Sequence, residues 1–258
     1  MFKTKLLVIA LGAAFALPAL AEDAPAASPL TFNVGVVSDY IFRGITQTTH
    51  APAIQGGADY AHSSGAYVGA WASNIKWIKD SAALANGSDA PLELDTYFGF
   101  RNTIAGDFDY DVGYIRYNYG LMGNPVPAAG FNNADTAEVY AAGSYKFVSL
   151  KYSYSLLDGF LTIPGAAGTN YTDLSVNYPV ADSGVTVVAH YGQQTVKGPS
   201  GTGATTATYN DYKLGVTKDF SGYVAGLTYT NTNATSFWTY NGDQWGKGVL
   251  ALSVLHAF

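Results

Sequence analysis

Apolar residues recur at every second position in twelve separate stretches of this chain, roughly 31–43, 52–61, 66–77, 91–102, 107–118, 135–146, 148–156, 171–179, 184–194, 208–218, 221–231 and 247–258. Period two is the signature of a β-strand with one apolar face. In 91–102, Leu92, Leu94, Thr96, Phe98 and Phe100 share one face, and Glu93, Asp95, Tyr97 and Arg101 share the other. In 148–156, Val148, Leu150, Tyr152, Tyr154 and Leu156 stand opposite Ser149, Lys151, Ser153 and Ser155. A soluble sandwich alternates too, so the connections decide. Short ones (near 62–65, 103–106, 147, 180–183 and 219–220) alternate strictly with long ones (44–51, 78–90, 119–134, 157–170, 195–207 and 232–246). Most stretches are close to the nine to eleven residues that a tilted strand needs to cross hydrocarbon. Tight turns at one end and long loops at the other are the asymmetry of a transmembrane barrel. The pattern predicts an all-β, twelve-stranded antiparallel transmembrane barrel, with both termini on the short-turn, periplasmic side.

Both chain ends agree with this expectation. Lys3 and Lys5 precede an apolar run from Leu6 to Phe15, followed by Ala19-Leu20-Ala21. This is the form of a signal peptide, residues 1–21, cleaved after Ala21. A short periplasmic segment, 22–30, then leads into the barrel, 31–258. At the other end Leu250, Leu252, Val254 and Phe258 share one parity, and the chain stops on the bare aromatic Phe258. Free termini usually fray, and an exposed Phe gains nothing there in water. In a closed barrel the last strand pairs with the first, and a terminal Phe is the form that barrel-assembly machinery reads. Together these features place the chain in the outer membrane of a Gram-negative bacterium, with outer-membrane lipids as its surroundings.

Composition excludes several other classes. No cysteine is present, so thiol catalysis and cysteine-ligated metals are ruled out. Removing Lys3 and Lys5 takes the net charge from −6 to −8, which argues against nucleic acid as a partner. No Gly-x-Ser-x-Gly elbow occurs, and no two of the four histidines stand at metal-ligand spacing. The sequence therefore predicts no enzyme, no cofactor and no metal. Trp71, Trp77, Trp238 and Trp245 fall near strand ends or loops and read as interface anchors.

Four stretches carry a family likeness: Ser38-Asp39-Tyr40-Ile41-Phe42-Arg43-Gly44, Pro52-Ala53-Ile54-Gln55-Gly56-Gly57, Gly69-Ala70-Trp71-Ala72-Ser73-Asn74, and Glu93-Leu94-Asp95-Thr96-Tyr97-Phe98-Gly99. In this order and spacing the chain resembles the Gcw_chp family, also labelled TorF-family porins, of proteobacteria. The resemblance implies an outer-membrane barrel and suggests a porin; it brings no catalytic or substrate residue.

With the Leu/Phe parity facing lipid, the lumen receives Asn33, Asp39 and Arg43 from the first strand, Gln55 and Asp59 from the second, and Asn74 and Lys76 from the third. Glu93, Asp95 and Arg101 come from the fourth, followed by Asp107, Asp109, Asp111, Glu138, Lys146, Lys151, Asp173, His190, Asp211 and Lys213. Charge turned inward in a membrane barrel lines a water path or forms a paired network that fills it. The candidate lumen and selectivity residues are Arg43, Asp39, Asp59, Glu93, Asp95 and Arg101. Arg43 reads either as an electropositive step beside the first long loop or as a structural pair with Asp39 or Asp59. The expected function is a porin-like channel for passive diffusion of small polar solutes or ions. The alternative is a closed structural or surface-interaction barrel acting through its extracellular loops.

Overall fold

The computed structural model describes residues 28–81, 89–123, 125–198 and 207–258. The expected signal peptide and most of the 22–30 segment lie outside them. Twelve strands form the barrel: β1 Leu30–Val37, β2 Ala53–Ala61, β3 Ala66–Asn74, β4 Leu92–Ala105, β5 Phe108–Asn118, β6 Thr136–Tyr145, β7 Val148–Ser155, β8 Asn170–Pro179, β9 Val185–Thr195, β10 Tyr209–Phe220, β11 Tyr223–Thr232 and β12 Val249–Ala257. Each pairs antiparallel with the next, and β12 returns to β1, so the sheet closes. At the seam Asn33 pairs with Ala257 and Val37 with Ser253. The Phe258 amide donates to the Phe32 carbonyl at 2.9 Å, and the Phe32 amide donates back at 3.2 Å. The bare terminal residue is thus the last rung of the closing ladder. Closure satisfies every strand edge, which hydrocarbon demands.

The alternation holds throughout. Phe32, Ile54, Val68, Phe98, Val112, Leu150, Leu174, Leu214, Leu227 and Leu250 are exposed on the outer face. In water this surface would be one continuous apolar patch, and removing each such side chain from water is worth about 1.5–3 kcal/mol. The outside is built for lipid, and the chain spans a membrane with its strands. Among the described residues no helix is long and apolar enough to do so. The strands are joined at one end by turns at 62–65, 106–107, 146–147, 180–184 and 221–222, and at the other by long connections.

Inside, tyrosines lie across glycines of neighbouring strands. Tyr140 pairs across the ladder with Gly113, and Tyr67 with Gly99. A Cβ on Gly113 would come 2.6 Å from the Tyr140 hydroxyl oxygen. Each ring fills the space a side chain would otherwise occupy, which holds the register of the sheet.

Three expectations are corrected. The first strand does not run to 43. It ends at Val37, because Ser38 caps the ladder: its amide donates to the Leu252 carbonyl at 2.8 Å and its Oγ accepts from the Leu252 amide at 2.9 Å. The chain then turns into the lumen. The third strand ends at Asn74, whose Oδ1 accepts from the Ile54 amide on the outer face. Lys76 lies beyond it, at the cap of the short helix Trp77–Asp80. The four tryptophans are not interface anchors: Trp71, Trp77, Trp238 and Trp245 are all buried inside. Indole faces pack there against Tyr40, Tyr119 and Tyr209, while Tyr and Phe side chains serve the outer surface.

Candidate functional site in the barrel lumen

The first long connection, 38–52, folds down inside the barrel. Its core is a two-rung hairpin in which Ile41 pairs with Thr46 and Phe42 with Ile45. Arg43 and Gly44 form the two-residue turn, both at positive φ, 47° and 79°. This is the backbone of the tight hairpin turn that suits right-handed strand twist. Asp39 braces the segment from within. Its Oδ1 accepts from the Thr46 and Thr48 hydroxyls at 2.5 and 3.1 Å, and its Oδ2 meets His50 Nδ1 at 2.7 Å. Asp39 is therefore a fold-in brace and not a wall residue.

The hairpin leans on the wall made by β3 to β9. Arg43 reaches Glu138 on β6 with both guanidinium nitrogens, Nη1 to Oε1 at 2.9 Å and Nη2 to Oε2 at 2.6 Å. Nη1 also donates to Gln194 Oε1 on β9 at 3.0 Å. The guanidinium lies between two rings, 4.7 Å from the centre of Phe42 and 4.4 Å from that of Tyr171. Phe42 meets Tyr117 edge-on, and Tyr40 meets Trp71 in the same way. The Tyr40 hydroxyl donates to Glu93 Oε1 at 3.0 Å. Burial pushes this hydroxyl well above its ordinary range, and Glu93 and Asp95 add to the effect, so Tyr40 stays a donor. The long-loop half of the lumen is consequently largely filled: Tyr40, Phe42 and Ile45 are all buried.

Towards the short-turn end the lumen changes character. Asp59 accepts from the Tyr97 hydroxyl at 2.6 Å, Asp111 from the Tyr67 hydroxyl at 2.6 Å, and the Tyr67 and Tyr140 hydroxyls touch. The Arg101 guanidinium sits 4.8 Å above the Tyr67 ring, and the Lys151 ammonium 3.9 Å above the Tyr140 ring. On the facing wall His190 bridges two carboxylates, with Nε2 at 2.8 Å from Asp211 and Nδ1 at 3.2 Å from Asp173. Ser175 Oγ lies 3.1 Å from His190 Nδ1, which superficially completes a Ser-His-Asp set. The Ser175 hydroxyl donates to Asp173 at 2.6 Å, and the strand amides beside it pair in the ladder.

The six expected site residues thus separate into three places. Arg43 and Asp39 belong to the inserted hairpin. Glu93 and Asp95 are buried on β4 against it. Asp59 and Arg101 lie towards the short-turn end, on the wall opposite Asp173 and His190. Arg43 pairs with neither Asp39 nor Asp59. Parity puts Glu138, Gln194 and Lys213 inside, but pairing Arg43 with Glu138 requires knowing that the loop folds inward.

Residues 22–258 match the family described as "Bacterial protein of unknown function (Gcw_chp)". The chain belongs to the Gcw_chp family. The four stretches that carry the likeness meet around the hairpin: 38–44 is most of the hairpin itself, Trp71 and Glu93 both contact Tyr40, and 52–57 opens β2 beside it. No curated protein matches this Gcw_chp chain by sequence. Among solved structures it is similar to the NanC porin, at 9% identity and a TM-score of 0.54, covering 89% of this chain and 98% of that one. The KdgM porin in complex with disordered oligogalacturonate is 7% identical, with a TM-score of 0.47 and the same coverage. LpxR from Salmonella typhimurium is 11% identical, with a TM-score of 0.40, over 88% and 99% of the two chains. At these identities the likeness to NanC is one of fold.

Proposed function

We propose that this protein is an outer-membrane channel of narrow lumen for passive diffusion of small polar solutes or ions, in keeping with the barrel fold it shares with the NanC porin. The hairpin within 38–52 is its constriction. One observation carries the reading. Below the hairpin, Asp59, Arg101, Lys151, Asp173 and Lys213 face the lumen from both walls and keep partial access to solvent. An interior that only held the barrel's shape would bury such groups in pairs or replace them with apolar side chains. In this reading the chain enters the outer membrane of a Gram-negative bacterium after cleavage at Ala21. The assembly machinery recognises it through Phe258, and it works without cofactor or catalysis.

The packed hairpin favours a second reading, a closed barrel that acts through its extracellular loops. Conductance in planar bilayers separates the two. The purified mature protein is expected to give small, stepwise conductance, which increases when Ile41–Gln47 is replaced by a Gly/Ser segment of equal length. Folded barrel, verified by its heat-modifiable gel mobility, that shows no conductance in either form over many insertions would establish the closed barrel instead.

A further inference from the structure

The hairpin does not fill the lumen symmetrically. At the height of its turn it touches the wall on both sides: Arg43 reaches Glu138, and Gly44 lies against Thr232 and Asp211. One level below, along β10, β11, β12, β1 and β2, the packing opens into a cavity of about 40 Å³, room for a few water molecules. Its wall is mixed: Gln55, Thr228, Thr230 and Ser253 supply polar groups beside Val37, Tyr40, Ile41 and Ala251, and Asp39 and Lys213 are its charged members.

The two charges there are not equivalent. Asp39 is occupied by Thr46, Thr48 and His50. Lys213 has no hydrogen-bond or ion-pair partner among the described residues; Asp173 and Asp211 attract it only at longer range. Those two carboxylates are themselves held by His190, with Tyr171 and Ser175 adding hydrogen bonds. The other lumen cations are engaged: Arg43 by Glu138, Lys151 by the Tyr140 ring and Arg101 by the Tyr67 ring. This gap between hairpin and wall is therefore served by a cation whose ammonium has no fixed partner among the described residues, beside hydroxyls that can replace part of a solute's hydration.

We infer that this gap is the permeation path, that Lys213 is its charge-selecting residue, and that the path favours small anions. The inference rests on the channel reading above and replaces Arg43 as selectivity residue, since Arg43 is neutralised by Glu138. A unit charge about 4 Å from a permeating ion in a water-like medium changes its occupancy by roughly fivefold. Reversal potentials across a potassium chloride gradient test it, with the wild type, K213Q and K213E. The wild type is expected to prefer chloride. K213Q should lower the chloride-to-potassium permeability ratio by roughly 25-fold, since chloride loses and potassium gains about fivefold each, and K213E should invert the preference. Unaltered gel mobility shows that each variant has folded. A cation-preferring wild type, or a ratio that ignores K213Q while the channel still conducts, overturns the role of Lys213 and leaves the channel standing. Absence of conductance from both the wild type and the Gly/Ser hairpin variant overturns the channel reading, and this inference with it.

Discussion

Arg43 and Glu138 stand 95 positions apart in the chain and meet as a two-pronged ion pair with both side chains buried, 7% and 1% exposed. Neither partner is tolerable alone there. Truncating one member of a buried pair leaves an uncompensated charge and typically costs about 3–5 kcal/mol. Arg43→Met and Glu138→Gln should each lower the stability of the refolded barrel by an amount of that order, measured by urea unfolding in lipid vesicles. The double variant should lose less than the sum, with a coupling of about 1–3 kcal/mol. Strict additivity would show that the two side chains do not depend on each other. R43M should also raise single-channel conductance, because it unfastens the hairpin.

Gly44 makes a second, independent test of the hairpin. Its φ is +79°, and a Cβ there would lie 2.4 Å from Thr232 Cγ2 and 2.6 Å from Asp211 Cβ. Gly44→Ala therefore meets both backbone strain and collision with the wall. The hairpin is expected to withdraw, so that G44A conducts more than the wild type while the barrel still assembles. Protease added from the long-loop side should cut within 38–52 faster in this variant. Unchanged conductance and unchanged cleavage would mean that the turn does not depend on its fit against β10 and β11.

The barrel was legible because its code is local: one residue in, one residue out, repeated until a turn. Phe98 outward and Tyr97 inward follow from parity alone. The placement of Asp39 and Arg43 on the first strand failed for the same reason. Alternation continues formally through 31–43, yet the backbone leaves the sheet at Ser38. What draws it in is non-local, namely Glu138, Gln194 and Tyr171 on distant strands, and a single sequence does not announce such partners. Lys213 was placed in the lumen by parity, but its lack of a partner becomes visible only once every neighbouring carboxylate has been assigned to another donor.

The polarity of the barrel follows from its turns. The long connections, together with the hairpin, mark one end, and the turns at 62–65, 106–107 and 180–184 mark the other. Cysteines inserted near Pro127 and Gly165 should react with an impermeant maleimide on intact cells. Cysteines near Ser64, Gly106 and Asp182 should react only after the outer membrane is opened. The sites near Asn86 and Gly201 lie outside the described residues; by sequence they belong with the first group. The reverse pattern of labelling would invert the topology.

Phe258 separates assembly from finished structure. Its backbone makes two hydrogen bonds with Phe32, and its ring meets His256 edge-on at 4.7 Å between centroids, with His256 stacked in turn on Tyr223 at 4.3 Å. The residue is 67% exposed, and its ring contacts the edge of one imidazole. Phe258→Ala keeps both backbone bonds and removes only the ring, whereas deletion of Phe258 removes ring and bonds together. If the ring is read during assembly, both variants should show the same large fall in heat-modifiable protein in the outer membrane. The alanine variant, refolded in vitro from urea, should nevertheless form the same barrel, losing no more than the roughly 1.5–3 kcal/mol that one lipid-facing apolar side chain contributes. If closure of the ladder is what matters, the alanine variant should assemble normally in cells and only the deletion should fail. Comparing the two in cells and in vesicles therefore distinguishes a recognition signal from a structural rung.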